Sequence, residues 1–302
     1  MWQYVLIQGA ISGVIYALIA IGFALIYGIC GISNLTQGAY FMIGPFIYGV
    51  LKEVLPNYLP NLSSNTILML ALILSCLITA IIGSIVYRIT LHPILGQEVN
   101  ILILSICVCI IFQQLVLITM GPGKAFMFNI GELLPGMLAI GNVEVSRGKV
   151  FAAFFSILLF IALAIVIKGT KIGKAMRALS EDLEAAMLMG INVERIFMLV
   201  SGIAAFLASL GGIFYITTTN YNVSLWVWLN GMAWAFTVVV LGGLKSLKGA
   251  FVGGLVFGYA ETTIIKVLPR GGLIIQSFPF IITILVLLIR PKGIFGKRVE
   301  ME

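Results

Sequence analysis

The chain has 302 residues, 61% hydrophobic and only 10% charged, with a mean hydropathy of +1.15 and a formal net charge of +7. Soluble domains carry about 25% charged residues, so a soluble globular enzyme is excluded and an all-α, polytopic helical membrane protein is expected. The positive balance calls for no nucleic-acid partner, because cytoplasmic loops of membrane proteins concentrate Lys and Arg.

The first 51 residues contain no Asp, Glu, Lys, Arg or His. A removable signal peptide needs a basic start and a short apolar core of about 7–15 residues. Neither is present, so the N-terminus reads as mature structure. A span takes about 20 mainly apolar residues, and the stretch therefore divides, at Tyr27 to Gly38. Span 1 is expected at about 3–28 and span 2 at about 37–54. Span 3 follows at about 66–87, ending at Arg88, and span 4 at about 99–120. Residues 121–149 are turn-rich, with Gly121-Pro122-Gly123 and Pro135-Gly136. Span 5 is expected at about 150–167, span 6 at about 196–217 and span 7 at about 225–241. Span 8 is expected at about 249–265, closed by Pro269 to Gly272, and span 9 at about 273–289, before the basic tail Arg290-Pro291-Lys292. This makes nine spans, or eight if span 7 is re-entrant, in one transmembrane domain covering 1–302.

Between spans 5 and 6, residues 168–195 hold nine charged residues out of a total of 18 Lys and Arg and 11 Asp and Glu. Ser180 is a candidate N-cap, Glu181, Asp182 and Glu184 suit a helix N-terminus, and Gly190 suits a helix end. A short helix at about 181–189 is expected, a firm element in water and a candidate docking surface. With this loop in the cytoplasm, alternation divides the 18 Lys and Arg twelve inside to six outside, as the positive-inside rule requires. The N-terminus is then outside and the C-terminus cytoplasmic.

Several patterns bear on function. Gly9/Gly13, Gly249/Gly253 and Gly254/Gly258 are each four apart, a spacing that lets helix backbones approach closely. The Gly28–Gly38 break leaves backbone groups without helical partners, which is tolerated at membrane depth only where protein buries it or water lines it. Asn34, Thr36, Gln37 and Gly38 are therefore candidates for the substrate pathway, an ordinary surface turn being the alternative. Glu261 is the carboxylate deepest in a span; it is read as a structural partner near the interface, with Lys266 or Lys52 as candidate partners, a proton-coupling role being the alternative. His92 reads as structural. Cys30, Cys76, Cys107 and Cys109 all fall in apolar runs and read as small space-fillers, with neither disulfide nor zinc spacing. The run Gly169 to Ala175 is one residue short of a phosphate-binding loop and has Ala175 where Ser or Thr is needed. No ATP site, catalytic residue, cofactor or metal is assigned.

Three stretches carry a family resemblance: Gly13 to Gly28 running into Asn34-Leu-Thr-Gln-Gly38; Gly173-Lys-Ala-Met-Arg177 through Gly190-Ile-Asn; and Leu241-Gly-Gly through Gly254, with Arg290-Pro-Lys-Gly-Ile-Phe-Gly296 at the end. The chain resembles the permease subunits of ABC importers for branched-chain amino acids, a class that includes amide and urea permeases. The resemblance implies an importer permease fold in the cytoplasmic membrane of a prokaryote, among membrane lipid. It implies that 180–190 is the coupling helix, with Glu181, Asp182, Ala185, Ala186 and Gly190 at the contact with separate ABC ATPase subunits. It also implies a homologous second permease subunit and an extracytoplasmic substrate-binding protein. The family's break commonly reads Asn-Phe-Ala-His-Gly-Glu; here it is Asn34-Leu35-Thr36-Gln37-Gly38-Ala39. Branched-chain amino acids lead as substrate, with urea, amides and other amino acids open. An ion-coupled secondary transporter is the rival outside the class.

Overall fold

The computed structural model of the chain describes residues 2–126, 128–141, 143–219, 222–267, 277–289 and 293–295. The expected turn Pro269 to Gly272 and the tail residues Arg290, Pro291 and Lys292 lie outside them.

The helices, in order, are α1 (Trp2–Cys30), α2 (Gln37–Tyr58), α3 (Ser64–Val86), α4 (Glu98–Phe126), α5 (Arg147–Gly169), α6 (Lys171–Glu181), α7 (Leu183–Leu188), α8 (Val193–Thr219), α9 (Val227–Gly242), α10 (Leu247–Val267) and α11 (Phe278–Ile289). A π-turn, Tyr87–Leu91, and a 3-10 turn, His92–Ile94, extend α3. The turn-rich segment forms a hairpin, β1 (Met137–Ile140) antiparallel to β2 (Val143–Ser146).

All nine expected spans are helical within the described residues. Six helices are long and apolar enough to cross a membrane: α1, α3 with its extension, α4, α5, α8 and α10. α9 has 16 residues; at about 1.5 Å per residue it falls short of a hydrocarbon core about 30 Å thick. The described part of α11 has 12 residues. α2 has 22, but its second half carries Lys52, Glu53 and Pro56.

Central and peripheral helices separate by burial. The apolar windows of α1 and α8 are each 78% buried, that of α5 only 17%. α1 crosses α10 at the spaced glycines: a Cβ on Gly258 would overlap Gly13, and one on Gly254 would lie 2.6 Å from the Ala17 Cβ. Small residues one turn apart thus bring two backbones together within one chain. Gly249 likewise abuts Gly242 at the end of α9. Without a hydrophobic drive between helices in lipid, such close van der Waals contact does the holding.

Two main cores result. The larger joins α1, α2, α8, α9 and α10. The smaller lies at the end carrying the charged segment; it joins Leu25 and Ile26 of α1, Tyr87 and Leu91 of the π-turn, Met176 and Leu179 of α6, Ala186 of α7, and Phe197 and Val200 of α8.

Candidate functional site

The break between α1 and α2 is the first candidate. α1 ends at Cys30, and Gly31 turns the chain with φ +68. Residues 31–34 are irregular, and α2 starts at Gln37. The start of α2 has orphan amides. Asn34 supplies a partner: its Oδ1 accepts from the Thr36 N–H at 3.0 Å and from the Thr36 hydroxyl at 2.7 Å. Asn side chains form such turns readily.

Gln37 reaches the other way. Its Nε2 donates to the Ala204 carbonyl of α8 at 2.9 Å, while its Oε1 is buried without a partner. Gly38 lies under α9; a Cβ there would come within 2.5 Å of the Trp228 carbonyl oxygen. Asn34, Thr36 and Gln37 are all buried. The structure therefore brings the four break residues together where α1, α2, α8 and α9 meet, sealed by packed side chains. α4 closes the group, with the Cys109 thiol donating to the Leu35 carbonyl at 3.5 Å. Nearby, the Trp228 indole donates to Gln113 Oε1 at 2.7 Å.

Deeper in the bundle lies a group that the sequence reading missed. Tyr16, Phe41, Tyr215, Trp234 and Phe257 come from five different helices. Trp234 stacks at an angle on Tyr215 (4.6 Å between ring centres) and on Tyr16 (5.1 Å), and Phe257 meets Tyr16 edge-on at 5.2 Å. Such tilted contacts are the favoured aromatic geometry. Glu261, one turn beyond Phe257 on α10, is buried and hydrogen-bonded to Tyr16. The expected partners are engaged elsewhere: the Lys52 Nζ donates to the Ile130 carbonyl at 2.7 Å, and the Lys266 ammonium sits 4.7 Å from the centre of the Tyr4 ring. A polar hydroxyl within the bundle, not a surface cation, thus satisfies the acid.

The charged segment is the second candidate. The short helix expected at 181–189 is present as α7, Leu183–Leu188, with its cap corrected from Ser180 to Asp182, and a further helix, α6, precedes it. Thr170 caps α6 by accepting from the Gly173 N–H at 3.0 Å. α6 then runs through Ser180, whose hydroxyl donates back to the Arg177 carbonyl at 2.7 Å. The cap of α7 is Asp182, accepting from the Ala185 N–H at 3.0 Å. Glu181 therefore closes α6 instead of opening α7. Gly190 has φ +80 as expected, and bonds from Gly190 N–H to Met187 and from Ile191 N–H to Ala186 end α7 in a Schellman motif.

The six-residue α7 has one inward residue, Ala186, packed in the smaller core. Glu181, Asp182, Ala185 and Gly190 are exposed. Leu188 and Met189 are 89% and 82% exposed. A concavity of about 530 Å³ lies beside them, lined by Lys171, Lys174, Ala178, Glu181, Ala185 and Met189 among others. Large apolar side chains held out from a firmly capped turn make α7 a candidate contact surface.

A further link was not legible. The described tail residues 293–295 return to α9, with Ile294 N–H donating to the Leu241 carbonyl and Phe295 N–H to that of Gly242. The two parts of the third stretch that carried the resemblance thus meet, at residues 293–295 and the end of α9. Among the described residues no group of three or more His, Cys, Asp or Glu is arranged to hold a metal. Of the cysteines, Cys76 and Cys109 are buried fillers; Cys107 is exposed and Cys30 half-buried.

A family model described as the permease component of branched-chain amino acid transport systems matches residues 5–289. The high-affinity branched-chain amino acid transport permease protein LivH of Escherichia coli K12 is 31% identical, over 98% of this chain and 95% of its own length. BraD of Pseudomonas aeruginosa, with the same description, is 33% identical over 98% and 96%. A probable branched-chain amino acid transport permease of Methanocaldococcus jannaschii is 28% identical over 97% and 93%. Among solved structures, PsaBC from Streptococcus pneumoniae in complex with Fab matches over 96% of this chain and 93% of its own, at 16% identity and a TM-score of 0.48.

Proposed function

Since the chain belongs to the family of permease components of branched-chain amino acid transport systems, we propose that it is the translocation subunit of an ATP-driven importer whose ATP is hydrolysed on separate subunits. Its substrates are leucine, isoleucine and valine. An extracytoplasmic binding protein delivers them, and a homologous second permease completes the pore. The observation that carries the ATP-driven reading is α7, a capped turn presenting Leu188 and Met189 to water while Ala186 is locked into the smaller core. An ATPase subunit seats on this turn through contacts with Glu181, Asp182, Ala185 and Gly190, while Ala186 passes the motion inward.

In this reading the 168–195 segment and the C-terminus are cytoplasmic. The pathway opens at Asn34, Thr36, Gln37 and Gly38. Uncharged groups suit that place, because a zwitterionic amino acid can exchange hydrogen bonds there without meeting a fixed charge. In the closed arrangement the unpartnered Gln37 Oε1 is the acceptor that a substrate ammonium would satisfy.

The test is to purify the chain with its co-purifying subunits, reconstitute them in liposomes and supply loaded binding protein. Uptake of branched-chain amino acids is expected to require ATP and to be indifferent to Na⁺ and proton gradients. Uptake driven by an ion gradient without ATP, or purification with no associated ATPase, overturns the assignment.

A further inference from the structure

A groove of about 800 Å³ runs along the outer face of the α3–α8 pair. Its walls are apolar, built from Leu77, Ile81, Ile85 and Ile89 of α3 and from Leu199 and Phe206 of α8. The floor is made shallow-walled by small residues, Ala80, Ser84 and Gly202. Its polar atom is already satisfied: the Ser84 hydroxyl lies 3.0 Å from the Ala80 carbonyl and 3.2 Å from that of Met198. At one end stands Arg88, on the π-turn that extends α3. Its Nε is 3.3 Å from Glu194 Oε1 in the first turn of α8. That pair holds the guanidinium at the mouth of the groove. Among the described residues no hydrogen bond uses its terminal nitrogens, and its side chain is 68% exposed.

We propose that this groove is a binding site for one anionic phospholipid, its acyl chain lying between α3 and α8 and its phosphate on Arg88. Length favours a lipid over a second subunit. From Leu77 to Ile89 the α3 wall rises about 18 Å at about 1.5 Å per residue. One leaflet of hydrocarbon is about 15 Å, half of a core about 30 Å thick. A transmembrane helix of another subunit would need an apolar seat through both leaflets. This groove spans one, and it ends in a cation at the depth where headgroups lie. A guanidinium matches a phosphate in bidentate geometry, and an anionic headgroup is favoured because it brings no choline or ethanolamine cation up against Arg88. The leaflet is that of the charged segment, because Glu194 lies within it. The site would let lipid composition act on the packed α3–α8 pair, beside the smaller core.

The test is native mass spectrometry of the complex as purified, titrated with phosphatidylglycerol and, separately, phosphatidylcholine. Phosphatidylglycerol is expected to bind about fivefold more tightly, the effect of one basic residue at an anionic headgroup. Arg88→Gln is expected to abolish that preference, and Arg88→Lys to retain most of it. Glu194→Gln frees Arg88 from its partner and is expected to keep or raise the preference, which separates headgroup binding from loss of the ion pair. Ile81→Trp fills the groove and is expected to weaken retention of both lipids. Equal retention of the two lipids by the parent protein, or an unchanged preference in Arg88→Gln, overturns the proposal. So does efficient cross-linking between two permease chains through Ile81→Cys, which would make the groove a subunit seat.

Discussion

Gln37 is bound through one atom of its amide and idle at the other. Leaving a buried acceptor unpaired costs about 1–3 kcal/mol, so a residue kept for packing alone would be better replaced by an apolar one. Gln37→Leu removes both the Ala204 contact and the idle oxygen at similar volume. The Ala204 carbonyl left behind lies inside α8, where the helix's own N–H···O=C bond still pairs it, so no new unsatisfied group is created. The variant is therefore expected to hold its thermal midpoint in detergent, with a stability change under about 1 kcal/mol. Its ATP-driven uptake in proteoliposomes is expected to fall at least about tenfold, which is what losing one hydrogen bond to a charged ammonium, about 1.5–3 kcal/mol, predicts. Stability and uptake falling in parallel would mark Gln37 as structural. Asn34, by contrast, has both of its bonds inside the break, and its first task is to shape the start of α2. Sequence could single out both residues as polar groups in an apolar run. Sequence could not tell the cap from the idle acceptor, because that difference depends on where α8 passes.

At the scale of elements, α7 shows what local pattern can and cannot decide. Ser180 and Asp182 both make good N-caps, and both precede acidic residues. The choice falls to Asp182 because α6 buries Gly173, Met176 and Leu179 on one face, and that burial carries the helix past Ser180. Capping signals were legible; the tertiary contact that ranks them was not. The same holds for the spans. That the chain is a bundle of apolar helices, and the Gly254/Gly258 packing spacing, were readable from hydropathy and spacing. That α1 and α8 are central and α5 peripheral was not, since helices apolar all round have no face to point inward. The five-helix aromatic group was invisible for the same reason. Two substitutions separate the parts of α7. Asp182→Ala removes the cap and is expected to cost about 1 kcal/mol locally, fraying α7. Leu188→Glu changes a side chain already 89% exposed and is expected to leave the permease fold intact. Both are expected to reduce co-purification of the ATPase subunit, Leu188→Glu to background and Asp182→Ala partially, as read on a gel after size exclusion. Full recovery of the ATPase with Leu188→Glu would move the docking surface away from α7.

Across the whole molecule, the smaller core makes one body of α7, α6, the π-turn and the near ends of α1 and α8. Within that body α8 presents Ala204, where Gln37 is tied. α1 ends at the break, whose Ile32 is packed in the same core. A displacement of α7 thus has two rigid routes to the same buried residues, and neither passes through a flexible loop. Packed interiors shift between discrete arrangements instead of deforming continuously, so the force from α7 reaches the break only if Ala186 stays seated. This separates docking from transmission. Ala186→Leu enlarges the one inward side chain of α7 and overpacks the smaller core by an expected 1–3 kcal/mol, while Leu188 and Met189 remain exposed for the partner. The ATPase is therefore expected to assemble and hydrolyse ATP in the variant. The amount of amino acid moved per ATP is expected to drop several-fold, measured by following uptake and phosphate release in the same proteoliposomes. An unchanged ratio would mean that motion enters the bundle by another route, and that the smaller core serves only to hold the segment in place.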